Sequence, residues 1–181
     1  MKTVLIRHGK TAGNLEGRYI GCKTDEPLCV AGIAEIHKLR VPEVDRVFVS
    51  PMKRCLETAA ILYPNRNPII VDDFRECDFG AFENRNYAEL NGDPDYQRWI
   101  DSGGELPFPN GESRAAFAVR CVSAYEKLRK DIRGDCALIV HGGTIMAIME
   151  KYARPQGSYY DFQSKNGHGY VLYGDGRYEE I

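Results

Sequence analysis

The stretch Leu5-Ile6-Arg7-His8-Gly9-Lys10-Thr11, "LIRHGKT", is an apolar run that ends abruptly in an arginine, a histidine and a glycine. Leu138 to Thr144, "LIVHGGT", repeats the pattern Leu-Ile-x-His-Gly-x-Thr near the other end of the chain. Each reads as a buried strand whose carboxyl end delivers a histidine, followed by a glycine that lets the backbone approach a ligand. In open α/β sheets ligands sit outside the carboxyl ends of the strands. Two such endings therefore point to one shared crevice.

Outward from these two stretches the chain alternates. Val- and Ile-rich runs at Thr3–Ile6, Val47–Val49, Ile69–Val71 and Ala137–Val140 predict short strands covered on both faces. Between them, helical spacing predicts helices over Gly32–Leu39 (Ile33, Ile36, Leu39), Met52–Leu62 and Ser113–Leu128 (Phe117, Cys121, Ala124, Leu128). Alternation of this kind implies an α/β fold with a mostly parallel central sheet and helices on both faces. Residues 84–111, rich in Gly, Pro and aromatics including Tyr87, Tyr96 and Trp99, break the alternation and predict an excursion off the sheet. The terminal "YVLYGDGRYEEI" predicts a hairpin turning at Gly174-Asp175-Gly176. The Leu-Ile-x-His-Gly echo is too short to mark a duplication.

The 181 residues, 43% hydrophobic and 28% charged, are expected to form a single domain over 1–181. A formal net charge of −2, with Lys and Arg spread along the chain, offers no electrostatic footprint for nucleic acid or for an anionic membrane. Only four apolar positions precede Arg7, too few for a signal-peptide core, and no run approaches the roughly 18 residues of a membrane span. A cytoplasmic protein is expected. The cysteines at 22, 29, 55, 77, 121 and 136 form no C-x-x-C pair, which suits reduced thiols better than a structural zinc.

The reactive side chains cluster at strand ends. Arg7 and His8 close the first strand, Arg54 lies in the first turn after the second, and His141 closes the late strand before Gly142-Gly143-Thr144 opens a helix with free N–H groups. Two arginines, two histidines and a helix N-terminus make a cage for a dianion, and phosphate fits that cage best. A neutral His8 then becomes a nucleophile if a backbone hydrogen bond fixes its other nitrogen. The leaving oxygen needs an acid, for which Glu76 competes with Asp72, Asp73, Asp78 and Glu83. His37 reads as a surface residue and His168 as a turn residue.

"LIRHGKTAGN", "SPMKRCLETA", "RECDFG" and "VHGGT", in that order, resemble the histidine phosphatase superfamily, which includes the cofactor-dependent phosphoglycerate mutases. The resemblance runs from Val4 to about Tyr170. It implies a three-layer phosphoglycerate mutase-like fold with residues 84–111 as a short lid. It also implies that His8 becomes the phosphohistidine while Arg7, Arg54 and His141 hold the phosphoryl group. Asn14 would bond the same oxygens, and Gly21 in "RYIGCKTDEPL" would offer backbone, as would Gly142 at the helix start. Glu76, four residues before Gly80, matches the family's proton donor. No metal and no cofactor are implied, because fixed donors supply the positive charge.

Two positions depart from the family pattern. Lys10 replaces a residue that is commonly acidic or an amide, and Cys29 stands where a Ser or Thr helix cap is frequent. The mutases carry a longer, more basic excursion, whereas 84–111 is short and lacks an adjacent arginine pair, so water is the expected acceptor. "GRYIGCKTDEPL", "PNGES" and "NGHGY" resemble small bacterial α-ribazole phosphatases, which implies a small phosphorylated metabolite such as α-ribazole 5′-phosphate as substrate. Phosphoglycerate mutase-type transfer and an inactive phosphate-binding regulator are the alternatives.

Overall fold

A computed structural model describes all 181 residues, Met1–Ile181. Six strands, β1 (Lys2–Arg7), β2 (Arg46–Val49), β3 (Ile69–Ile70), β4 (Cys136–Val140), β5 (Gly169–Tyr173) and β6 (Tyr178–Glu180), form one sheet in the order β3-β2-β4-β1-β5-β6. The first four are mutually parallel, and the hairpin β5–β6 adds antiparallel strands beyond β1. The fold is therefore α/β with a mostly parallel, mixed sheet. Helices α1 (Ala12–Leu15), α2 (Val30–Ile36), α3 (Lys53–Leu62), α4 (Tyr87–Leu90), α5 (Pro94–Asp101), α6 (Arg114–Asp131) and α7 (Gly142–Tyr152) complete it.

Strand periodicity divides the apolar residues between two faces. Leu5, Phe48, Leu138 and Val140 pack with Tyr125 of α6 and Ile145, Ile148 and Met149 of α7. Val4, Ile6, Val47, Val49, Ala137 and Ile139 pack with Cys55, Ala59 and Tyr63 on the α3 side. Burying each of the larger side chains stabilises the fold by roughly 1.5–3 kcal/mol. Both faces are covered, which gives three layers and explains the unbroken apolar runs.

The α6 pattern holds, with Ser113 as N-cap, its Oγ accepting from the Ala116 N–H at 3.1 Å, and with Phe117, Cys121 and Ala124 buried. Two expectations need correcting. The run at Ile69–Val71 is not buried on both faces: β3 is a two-residue edge strand paired only with β2, and Ile69 and Ile70 are 47% and 55% exposed. The predicted Gly32–Leu39 helix instead starts at Val30, because the Cys29 Sγ caps it by accepting from the Gly32 N–H at 3.4 Å. Its inward face is Gly32 and Ile36 rather than Ile33, since Gly32 lies so tightly on Lys10 that a Cβ would stand 2.2 Å from the Lys10 carbonyl oxygen.

Residues 84–111 do leave the sheet, as α4 and α5. Asp93 caps α5 by accepting from the Asp95 N–H at 3.0 Å, with Pro94 opening the helix. Leu90, Phe82, Phe108, Phe117 and Cys121 form a separate small core, against which Tyr19, Phe79, Tyr96 and Trp99 pack. No helix is long and apolar enough to cross a membrane.

Candidate active site

The register of the ladder brings the two histidines together. Arg7 of β1 pairs with Val140 of β4, and the His8 N–H donates to the Val140 carbonyl at 3.0 Å, so His8 and His141 leave adjacent strands side by side. Their ring centroids are 5.2 Å apart, in an edge arrangement. Val49 of β2 pairs with Ile139 of β4, which sets Ser50 beside His141 with Ser50 Oγ 2.8 Å from His141 Nε2. Three neighbouring parallel strands thus end in His8, His141 and Ser50. Sequence patterns do not single out Ser50, although it follows β2 just as His8 follows β1.

His8 Nδ1 lies 2.7 Å from the Gly9 carbonyl, so Nδ1–H donates there and Nε2 keeps its lone pair. The Gly9 N–H donates in turn to Thr58 Oγ1 at 3.0 Å, which ties the residue after His8 to α3. Burial, reinforced by the Arg54 and Arg7 charges, holds the His8 imidazole well below its ordinary 6.5, so it is neutral. His141 is depressed in the same direction by burial and by Arg54.

Arg54, in the first turn of α3, is 0% exposed, although a residue at that position would ordinarily be solvated. Its guanidinium donates to the carbonyls of Thr24 at 3.0 Å and Gly21 at 3.1 Å. Arg7 Nη1 donates to the Ser164 carbonyl at 2.8 Å. The Nε atoms of both arginines are buried and have no partner. The N-terminus of α7 completes this side: Gly142 lies under the Arg7 guanidinium, 3.5 Å from Nε to the place a Cβ would take, and no side chain caps the helix.

Glu76 is the carboxyl that reaches His141. Its Oε2 is 3.6 Å from His141 Nδ1 and its Oε1 accepts from the Cys77 N–H at 2.9 Å. Burial pushes Glu76 above the ordinary carboxylate range, opposed by the Cys77 N–H and the nearby arginines. Asp78 instead pairs with Lys23 and Glu83 accepts from the Gly21 N–H at 3.0 Å. Gly80, at φ +54°, follows in a left-handed conformation where the loop crosses Pro109 so closely that a Cβ would sit 2.1 Å from its carbonyl. Arg120 of α6, also not singled out by the sequence, donates to the carbonyls of Asp73 and Arg75 at 2.8 and 2.9 Å and pairs with Glu112, clamping the segment that carries Glu76.

The remaining positions are mixed. Asn14 closes a capping box at α1, its Oδ1 accepting from the Thr11 N–H at 3.1 Å and from Asn166 Nδ2 at 3.2 Å. Gly21 is at the site, but its N–H is taken by Glu83 and its carbonyl holds Arg54, so it offers no free donor here. Lys10 pairs with Glu35 at 2.7 Å. His37 and His168 are exposed.

A cavity of about 320 Å³ opens from Arg7, Glu76 and Gly142, with Tyr19, Phe79, Trp99, Phe108, Phe117 and Tyr159 among its walls. Trp99 stacks on Tyr96 and on Phe108. Tyr87 is 74% exposed and stands outside this cavity. Tyr96 belongs to the excursion's own core, whereas Trp99 serves both that core and the cavity.

The sequence model of the histidine phosphatase superfamily, branch 1, matches residues 3–181. The chain belongs to the histidine phosphatase superfamily. It is similar to the adenosylcobalamin/alpha-ribazole phosphatase of Salmonella typhimurium, 28% identical over 179 residues covering 92% of this chain and 87% of that one. It is also similar to the 2,3-bisphosphoglycerate-dependent phosphoglycerate mutase 2 of Gloeobacter violaceus, 30% identical over 161 residues, 81% of this chain and 73% of that one. Its fold matches the crystal structure of the alpha-ribazole phosphatase from Shigella flexneri with a TM-score of 0.84 at 24% identity, over 97% of this chain and 92% of that one. The superfamily acts on small phosphorylated substrates.

Proposed function

We propose that this histidine phosphatase is a phosphomonoesterase that works through a phosphohistidine on His8. The observation that carries the reading is the pair of buried, unpartnered Nε donors of Arg7 and Arg54 beside a neutral histidine whose Nδ1 is already engaged. Burying such donors without acceptors is costly, and a phosphoryl group supplies the acceptors.

In the first step His8 Nε2 attacks phosphorus, the N–P bond forms and the P–O ester bond breaks. Glu76, protonated because burial favours its neutral form, gives its proton to the leaving oxygen. In the second step the resulting carboxylate takes a proton from water as the water oxygen attacks phosphorus. The N–P bond breaks, phosphate is released, and His8 and Glu76 return to their starting states. Arg7, Arg54, His141, Asn14 and the N–H of Gly142 hold the equatorial oxygens, whose charge they meet without reorganisation.

The aromatic cavity supports a ring-bearing leaving group, with α-ribazole 5′-phosphate as the first candidate. Apart from Arg7, the cation in its walls is Arg114, whose charge is met by Glu105 and whose guanidinium lies over the Tyr159 ring at 5.3 Å. That leaves no free cation within the aromatic walls for the carboxylate of a phosphoglycerate or phosphoserine. The test is phosphate release from a panel of phosphorylated metabolites with chelator present, alongside denaturation in alkaline detergent to trap a labelled phosphoenzyme that survives base and is lost on acid treatment. Release is expected with wild type and loss of both signals with His8→Ala, a drop of several powers of ten. Substantial turnover by His8→Ala would sink the phosphohistidine. Interconversion of phosphoglycerates without net phosphate release would favour the mutase reading, and phosphate binding with no turnover of any substrate the regulatory one.

A further inference from the structure

Arg7 faces a second cavity. Beside the aromatic cavity lies a space of about 600 Å³ lined by eight residues, none of them hydrophobic. Arg7 and Gln163 line both cavities, so the two share a wall. The charged groups of the second are Arg7, Lys10, Glu35 and Lys165. Glu35 is matched by Lys10 at 2.7 Å, and Lys165 makes no ion pair, so the positive charge of Lys165 is uncompensated within these walls, where Arg7 adds a charge shared with the first site. Ser164 adds a buried hydroxyl without a partner.

The wall is fixed rather than loose. Arg7 N–H donates to the His168 carbonyl and Gly167 N–H to the Arg7 carbonyl, each at 3.0 Å. Arg7 Nη1 holds the Ser164 carbonyl at 2.8 Å, and Asn166 Nδ2 donates to the His8 carbonyl at 3.1 Å. The segment 163–168 is therefore bound to the end of β1, where the proposed nucleophile begins. A fully polar recess with surplus positive charge, an unused hydroxyl and fixed geometry is complementary to a small oxyanion.

We propose that this recess is a second phosphate site, formed by Lys165 and Ser164 beside Arg7. Its occupant is a phosphate dianion from one of two sources: the free product on its way from His8, or a second phosphoryl group on a substrate whose first lies at His8. Its existence is independent of the catalytic reading; its part in turnover rests on that reading.

Inorganic phosphate titrated calorimetrically into wild type, Lys165→Glu and Ser164→Ala at low ionic strength tests it. Wild type is expected to take up two phosphates per chain, Lys165→Glu one, and Ser164→Ala two with the weaker affinity reduced severalfold. With p-nitrophenyl phosphate as substrate, kcat of Lys165→Glu stays at the wild-type level. If the source is free product, inhibition by phosphate changes from mixed in wild type to competitive in Lys165→Glu. If it is a second phosphoryl group, KM for butanediol bisphosphate rises about tenfold or more while KM for the monophosphate is unchanged. Equal stoichiometry and affinity in wild type and Lys165→Glu overturns the second site. A missing phosphoenzyme alongside two bound phosphates would instead overturn the catalytic reading and leave the second site standing.

Discussion

The two ends of the site are built by different means. At the phosphate end His8, His141 and Ser50 follow three adjacent parallel strands, and their positions are dictated by ladder register. At the other end Tyr19, Trp99, Phe108, Phe117 and Tyr159 come from five separated segments outside the sheet, and no ladder register places them. Ladder register fixes the first to the geometry a reaction needs, whereas segments off the sheet leave the second freer to change shape with sequence.

The sharpest way to break the comparison is at the phosphate end. Free histidine and glutamic acid titrate in the wrong order for the proposed reaction, at 6.5 and 4.5, so the pair of neutral imidazole and protonated carboxyl would be scarce. Burial lowers His8 and raises Glu76, moving both toward the required pair. Activity should accordingly rise as His8 loses its proton on the acid side and fall as Glu76 loses its own on the alkaline side. Glu76→Gln is expected to cut kcat by about 10²–10⁴ and to flatten the alkaline limb. An unchanged profile of kcat against pH would show that another group is the acid.

This contrast also explains what could be read in advance. Strand, histidine and glycine are consecutive in sequence, so the α/β class, the shared crevice and the candidates Arg7, His8, Arg54 and His141 were legible from local pattern. Glu76 was one carboxyl among several until the family motif selected it, because its approach to His141 depends on a clamp by Arg120 from 44 positions away. Ile69 and Ile70 looked buried because an edge strand and a central one share the same composition and differ only in how many neighbours they have. The dual role of Trp99 was invisible for a related reason: one ring face can belong to a core while another borders a cavity, and no spacing rule distinguishes them.

A smaller effect is expected at the aromatic end. Trp99→Ala removes a ring that stacks on both Tyr96 and Phe108 and borders the cavity. Losing an aromatic contact of this kind costs about 0.5–1.5 kcal/mol beyond the buried area, so KM for a ring-bearing phosphate should rise by about two- to tenfold. The kcat for a small phosphate ester such as p-nitrophenyl phosphate should move much less, because none of the phosphate ligands is touched. Equal losses in kcat on both substrates would mean that the excursion shapes the reacting end as well, and the division would fail.

The smallest effect tests whether the frame can be altered without the chemistry. Cys29 caps α2 through a thiol, a weaker acceptor than a hydroxyl, and its N–H donates to the Lys10 carbonyl at 2.9 Å, two residues beyond His8. Cys29→Ser should strengthen the cap and raise stability by a few tenths of a kcal/mol to about 1 kcal/mol, seen as a higher urea midpoint with an unchanged slope. Since His8 is positioned by β4 through the Val140 carbonyl and by its own bond to Gly9, a firmer α2 should leave kcat and KM as they are. A change in kcat would mean that the Lys10 backbone transmits the position of α2 to the nucleophile, and that the phosphate end is held by more than its sheet.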